Sequence, residues 1–307
     1  MINGDSSLTG ASAGRAAAWI ACCMLAATAS AGGGQPADSD PQPAAFEELA
    51  CWRAGALADR YRQQGWAVLD VRRVYASPNW PEGDPIRRHN AFTDLVRFRG
   101  RWYCSFRTGA DHGGHGELRV LNSADGHDWK PVFHFDSNLQ RGDIRDAKLT
   151  VTAAGELMAT SLERFINVKT QHLTPHKGLV WRSFACLSAD GTTWTGPLYP
   201  PPLRDTWLWS VTWHDGVGYG VGYGGKDANG CLYRTTDGRK WSIVKTDFFP
   251  PQTKIEKQHG NATGNETSLA FEPDGQVWCY VRGGARSGGA HLGAARPPYT
   301  TWTWTSR

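Results

Sequence analysis

Three stretches of this chain are copies of one another: Ser123-Ala124-Asp125-Gly126-His127-Asp128-Trp129, Ser188-Ala189-Asp190-Gly191-Thr192-Thr193-Trp194 and Thr235-Thr236-Asp237-Gly238-Arg239-Lys240-Trp241. Each reads Ser or Thr, any residue, Asp, Gly, two more residues, Trp. The carboxylate and the hydroxyl accept hydrogen bonds from nearby backbone N–H groups, and the Gly takes a positive φ that other residues resist. The Trp leaves the turn as the first large apolar anchor of the next strand. One Asp-Gly turn is ordinary hairpin punctuation. Three on one template, each after a strand-like run, point to a chain built of repeated β-hairpins.

A second series confirms the repeat. Hairpin turns are expected at Gly100, Gly155, Gly216 and Gly275, roughly 60 residues apart. Downstream of each comes another strand pair. The first three pairs carry the Asp-Gly turns, and the fourth carries the degenerate Arg296-Pro297-Pro298-Tyr299-Thr300-Thr301-Trp302. A unit of two hairpins, or four strands, is one propeller blade. Fifteen Trp and 36 Gly against three Met suit many short strands, tight turns and aromatic packing between layers.

These turns are the residues of the Asp-box, or bacterial neuraminidase repeat, and the chain resembles the sialidase superfamily. The resemblance implies an all-β, sialidase-like β-propeller of six blades, of which residues 66–307 supply about four four-stranded ones. On that count the sequence reads as a truncated propeller, with a four-blade ring closed on itself as the alternative. In the family the boxes lie on the face away from the active site, so they speak for the fold and not for the chemistry.

The first 66 residues read differently. Arg15 precedes a small-residue apolar run from Ala16 to Ala31 that ends Ala29-Ser30-Ala31, an Ala-x-Ala cleavage pattern. Residues 1–31 are therefore expected to be a signal peptide, and the protein secreted or periplasmic. The run is short and Ala-rich for a membrane span; lipid attachment at Cys22 is the alternative anchor. Residues 32–45 form a Gly/Pro/Ala linker, residues 46–64 a short helical lead-in, and Trp66 to Val71 a strand. After the signal, Cys51, Cys104, Cys186, Cys231 and Cys279 remain, an odd number without close spacing. That describes neither a disulfide framework nor a zinc site, and the last four sit in strand-like runs as small buried hydrophobes. The net charge of +4 is mild and unclustered, which gives no sign of nucleic-acid binding.

Three segments carry candidate chemistry. In Cys104-Ser105-Phe106-Arg107-Thr108-Gly109-Ala110-Asp111-His112-Gly113-Gly114-His115-Gly116 a strand ends in Arg and runs into a Gly-rich loop. In sialidases such a loop presents an Asp as general acid/base, so the resemblance assigns that role to Asp111 and substrate binding to Arg107. The plain alternative is a flexible loop with a solvated Asp. In the second segment the resemblance gives Glu266, opening a strand, the part of activating the nucleophilic Tyr. Arg282, ending the next strand, joins the arginine cluster that grips the substrate carboxylate, since guanidinium forks match carboxylates bidentately. In the third, Arg141-Gly142-Asp143-Ile144-Arg145-Asp146, Arg145 and Asp146 are expected to face the axis, as substrate ligands or as a mutual ion pair. The usual Arg-Ile-Pro opening is replaced by His89-Asn90-Ala91-Phe92-Thr93-Asp94, leaving Arg87 or Arg88 as the substitute first arginine, with His89 and Asp94 as further pocket candidates. The third arginine and the nucleophilic Tyr normally come from later blades. His112 and His115 beside Asp111 make too thin a set for a metal site, and neither metal nor organic cofactor is expected.

The resulting expectation is an exported, exo-acting glycoside hydrolase that removes terminal acidic sugars such as sialic acid from glycans by a retaining mechanism. The alternatives are a non-catalytic carbohydrate-binding propeller and an inactive truncated homologue.

Overall fold

The structure, a computed structural model, describes residues 89–109, 111–137, 142–165, 181–251, 264–283 and 290–306. The expected signal peptide, linker, 46–64 helix and Trp66–Val71 strand, together with Arg87 and Arg88, lie outside the described residues.

The described chain is all-β, with four antiparallel sheets arranged as a four-blade propeller. The first sheet holds β1 (His89–Phe98), β2 (Arg101–Gly109), β3 (Gly116–Ser123) and β4 (Lys130–Phe135). The second holds β5 (Gly142–Ile144) and β6 (Lys148–Val151), both paired to β7 (Leu157–Phe165), then β8 (Trp181–Ser188) and β9 (Thr195–Leu198). The third runs β10 (Trp207–His214), β11 (Val217–Gly224), β12 (Asp227–Thr235) and β13 (Trp241–Thr246). The fourth runs β14 (Thr267–Phe271), β15 (Val277–Arg282), β16 (Ala290–Ala295) and β17 (Thr303–Ser306). The innermost strands β1, β6, β10 and β14 follow one another around the axis, each packed on the next.

The sheets alternate inward and outward side chains, and each consecutive pair of sheets buries one apolar layer. Phe98, Tyr103, Leu118 and Val120 of the first sheet meet Ile144, Leu149, Leu157 and Phe184 of the second. Met158, Ala185 and Leu187 meet Leu208, Val211, Tyr233 and Trp241. Val221, Tyr223 and Leu232 meet Leu269, Val277, Cys279 and Val281. Complete burial of a side chain such as Leu118 contributes roughly 2 kcal/mol. Cys186, Cys231 and Cys279 are buried free thiols within these layers, Cys104 is another in a separate cluster of the first sheet with Phe106, Leu121 and Trp129, and burial pushes the thiols of Cys104 and Cys186 up to about 12.

Antiparallel pairing gives the propeller two distinct rims. The start of each first strand and the end of each second strand share one rim, as the registers His89↔Gly109, Trp207↔Tyr223 and Thr267↔Val281 show. We call this the upper rim. The Asp-Gly turns join third to fourth strands on the lower rim. In all three turns the hydroxyl of Ser123, Ser188 or Thr235 accepts from the Gly N–H, at 2.8 to 2.9 Å. The carboxylates of Asp125, Asp190 and Asp237 each take the next two backbone N–H groups. Those bonds hold the fully exposed Asp125 carboxyl down at about 2. The Gly residues stand at φ of +81, +82 and +71. Gly100, Gly155, Gly216 and Gly275 also take positive φ at the expected hairpin turns.

Candidate functional site

Three of the four innermost strands are irregular near the upper rim. β1 shifts register between Ala91 and Asp94, and β10 between Leu208 and Val211. In the second sheet the strand is broken outright, with Arg145, Asp146 and Ala147 lying between β5 and β6. Such interruptions re-aim side chains and recur beside functional sites. Here they place Phe92, Arg145, Asp146 and Trp209 around the axis. Phe92 sits at φ +61, in the left-handed region that a bulky residue avoids without compensation.

Arg145 is buried, with its guanidinium carbon 5.4 Å from the Phe92 ring centre and 5.9 Å from that of Trp207. Lys148 Nζ lies 4.6 Å from the Trp209 ring centre, and Trp207 stacks on Tyr223 at 5.5 Å. Asp146 is 3 % exposed; burial raises its pKa, and the charges of Arg145 and Lys148 only partly oppose that. Its Oδ1 is 3.8 Å from Arg145 Nε, too far for a hydrogen bond, and both atoms are buried without a hydrogen-bond partner. Trp207 Nε1 is in the same condition. Orphaned buried polar atoms that converge on one place mark a ligand site.

Glu266, just before β14, meets Arg282 at the end of β15, Oε1 to NH1 at 2.8 Å. Their backbones pair as well, Arg282 N–H donating to Glu266 O at 3.0 Å. Burial raises the Glu266 pKa against the pull of Arg282, and the charge of Asp146 raises it further. Tyr223 is driven well above the usual tyrosine range, first by burial and then by the Glu266 and Asp146 charges. The two acids and this phenol therefore act on one another across three sheets.

Arg107 differs from its sequence expectation. The side chain is fully buried and its donors are engaged within the protein. Nε donates to Asp143 Oδ1 at 3.3 Å and Ile144 O at 3.1 Å, and NH2 donates to Asp143 Oδ1 at 2.9 Å and Gly114 O at 2.7 Å. NH1 donates to Asp111 O at 2.9 Å and lies 3.4 Å from His89 Nδ1. Asp143, likewise fully buried, also takes Arg164 through Oδ2 at 2.7 Å and has Arg145 at 3.5 Å. Three arginines are thus gathered around the protein's own Asp143, a set distinct from the substrate-gripping cluster with Arg282 that the resemblance implies.

The same arginines hold the Gly-rich loop. Besides the two bonds from Arg107, Arg145 NH1 donates to His112 O at 2.8 Å and Arg164 NH2 to Gly113 O at 3.1 Å. Asp111 is exposed on this loop, its Oδ1 accepting from the N–H groups of Gly113 and Gly114 at 2.8 and 2.5 Å. His89 and His112 pack edge to face 5.5 Å apart; burial and nearby arginines lower both pKa values. His115 turns the other way, toward Asp136. Asp94 ties two sheets together, Oδ2 accepting from Leu149 N–H at 2.8 Å.

Arg107, Asp111, Arg145, Asp146, Glu266 and Arg282 therefore share the upper rim, opposite the Asp-Gly turns. Sequence reasoning did not single out Asp143, Arg164, Trp207, Trp209 or Tyr223. The signal that could have found the tryptophans is Trp207-Leu208-Trp209 opening the first strand of the third unit, the place that Glu266 holds in the fourth.

No protein-family model matches the chain, and no curated protein does. Solved structures match it in fold. A protein of unknown function from Dyadobacter fermentans is 18% identical over 71% of this chain and 68% of its own, with a TM-score of 0.55. The Hadza microbial sialidase Hz136 is 17% identical over 73% of this chain and 47% of its own, at 0.56. An exo-beta-1,3-galactanase from Clostridium thermocellum is 13% identical over 71% and 48%, at 0.50. The chain spans about half the length of these two enzymes. At such identities the likeness is one of fold: this is a β-propeller like those of the sialidase and the galactanase.

Proposed function

We propose that this protein is an exo-acting glycoside hydrolase of sialidase type that takes a terminal acidic sugar at the upper rim. The observation that carries the reading is the convergence at the upper rim of Asp146 and Arg145, beside Trp207, with Asp146 Oδ1, Arg145 Nε and Trp207 Nε1 all buried without a hydrogen-bond partner, and of the Glu266–Arg282 pair from the fourth sheet. Glycoside cleavage needs one group to protonate the departing oxygen and another to activate the attacking group, and the family resemblance distributes these roles. In this reading Asp111 gives the proton and Glu266 draws one from the attacking group. Arg282, Arg145 and Lys148 face the sugar carboxylate, and Trp207 and Trp209 carry its apolar face. Arg107 is a positioning residue that acts through the loop it holds. Arg88 enters as a carboxylate ligand on the family resemblance alone. Export rests on the Ala16–Ala31 run; among the described residues no helix is long and apolar enough to cross a membrane.

A second reading, a glycan-binding propeller without turnover, is favoured by Tyr223. This is the tyrosine whose titration the Glu266 charge affects, and burial makes it hold its proton rather than attack. Fluorophore release from a fluorogenic sialoside, set beside a panel of neutral fluorogenic glycosides, separates the two. Release that falls about 10²–10⁴-fold in Asp111→Ala and Glu266→Gln supports hydrolysis at this site. Calorimetric binding of the sialoside without release supports the second reading, and turnover untouched by either substitution rejects the site.

A further inference from the structure

The Asp111 loop returns to the sheet through a second polar cluster, separate from that of Arg107 and Asp143. His115, Glu117 and Asp136 each offer one ligand atom, and these atoms lie within 4.8 Å of one another. They sit at the start of β3 and just past the end of β4, held side by side by the Leu118↔Phe135 pairing. His115 Nδ1 lies 2.6 Å from the carbonyl oxygen of Gly142, which can only accept, so Nδ1 carries the hydrogen. Nε2 is then the nitrogen turned toward the cluster, 2.8 Å from Asp136 Oδ1. That oxygen is buried and has no hydrogen-bond partner, so the contact is close without being aligned as donor to acceptor. A backbone carbonyl that pins one ring nitrogen while the other faces carboxylates is the arrangement metal-ligating histidines adopt. Ligand atoms each about 2.0–2.2 Å from a shared tetrahedral ion are themselves about 3.4 Å apart, so the His115–Asp136 contact would open by roughly half an ångström to admit one. Glu117, 2% exposed, is set by its neighbours: His134 Nε2 donates to its Oε2 at 2.9 Å, and Arg119 lies 3.5 Å away.

We propose that His115, Glu117 and Asp136 bind one divalent transition-metal ion of the zinc class, and that the ion fixes the return of the loop carrying Asp111. One imidazole and two carboxylates form a donor set suited to such ions. The competing state is a metal-free ion pair between a protonated His115 and Asp136.

Calorimetric titration of the EDTA-treated full chain with zinc chloride at neutral pH tests this without any sugar, so its outcome is independent of the hydrolase reading. One zinc per chain with micromolar or tighter affinity is expected, weakened at least tenfold in His115→Gln and in Asp136→Asn. His127→Gln, on a lower-rim turn, should bind as the unsubstituted chain does. Zinc uptake that is absent, or equally strong in the two site variants, overturns the proposal in favour of the ion pair. Should those variants fail to fold, cobalt(II) added to the unsubstituted chain decides instead. A visible ligand-field band that zinc displaces supports the site, and no band rejects it.

Discussion

Arg107 and Asp143 face each other inside the protein, NH2 to Oδ1 at 2.9 Å, with neither side chain exposed. Arg107 lies on β2 of the first sheet and Asp143 on β5 of the second, so the pair is a joint between blades as well as an electrostatic contact. Asp143 also anchors Arg164 and has Arg145 beside it, and these three arginines hold four successive carbonyls of the Asp111 loop. One buried carboxylate thus organises the loop from beneath.

Asp143→Asn should therefore destabilise the fold by about 3–5 kcal/mol, the usual result of removing one partner from a buried pair. Denaturant unfolding measures it. A loss below about 1 kcal/mol would mean that the arginines find other partners.

Asp146 should behave in the opposite way. Its folded pKa is raised above the ordinary 3.8, so its contribution is fully present below that pH and is lost as pH rises through the folded value. Asp146→Asn should accordingly be more stable than the unsubstituted chain at pH 7, by on the order of 1 kcal/mol, while losing sugar binding or turnover. The stability difference should close in acid. Unfolding curves at pH 7 and pH 3 check the sign.

His89 and His112 set the acid limb. Their folded pKa values lie below 6.5, so as pH drops under 6.5 the unfolded chain takes up protons that the folded chain refuses. Stability from these groups is present above 6.5 and is lost as pH falls through the folded values. NMR titration should give both midpoints below 6.5, and the double variant His89→Gln/His112→Gln should flatten the decline. Midpoints at or above 6.5 would contradict the assignment.

Two glycines separate backbone strain from interlocking. Gly155 and Gly191 both take positive φ, but a Cβ on Gly155 meets nothing within 4 Å, whereas one on Gly191 would lie 2.0 Å from Tyr103 Oη. Gly155→Ala should cost about 1–2 kcal/mol from φ alone. Gly191→Ala adds overpacking of a further 1–3 kcal/mol. Thermal unfolding of the two variants side by side tests the difference.

The strands and turns were legible because their causes are local: the hydroxyl, carboxylate and glycine of each Asp-Gly turn act within four residues. The positions of Glu266 and Arg282 at the strand ends of one hairpin were legible, but their pairing with each other was not, because the resemblance gives each a different partner. Arg107 was placed correctly on its strand, but the direction of its fork depends on Asp143, in another sheet. The break at Arg145–Ala147 was not anticipated either, because packing around the axis, and no local turn residue, parts β5 from β6. His115 was weighed against His112 and Asp111, its neighbours in sequence, while its partners in space come from β3 and from just past β4.

The lower-rim turns reach backward along the chain. Gly191 abuts Tyr103 of the blade before it, Gly238 abuts Met158, and Arg239 grips Glu156 with two bonds of 2.7 and 2.9 Å. Much of the mechanical fastening between neighbours is therefore done on the floor of the molecule. At the opposite end the fastening is concentrated in the buried pair of Arg107 and Asp143, so substitutions around the mouth that leave this pair intact can retune what is recognised there without loosening the assembly underneath.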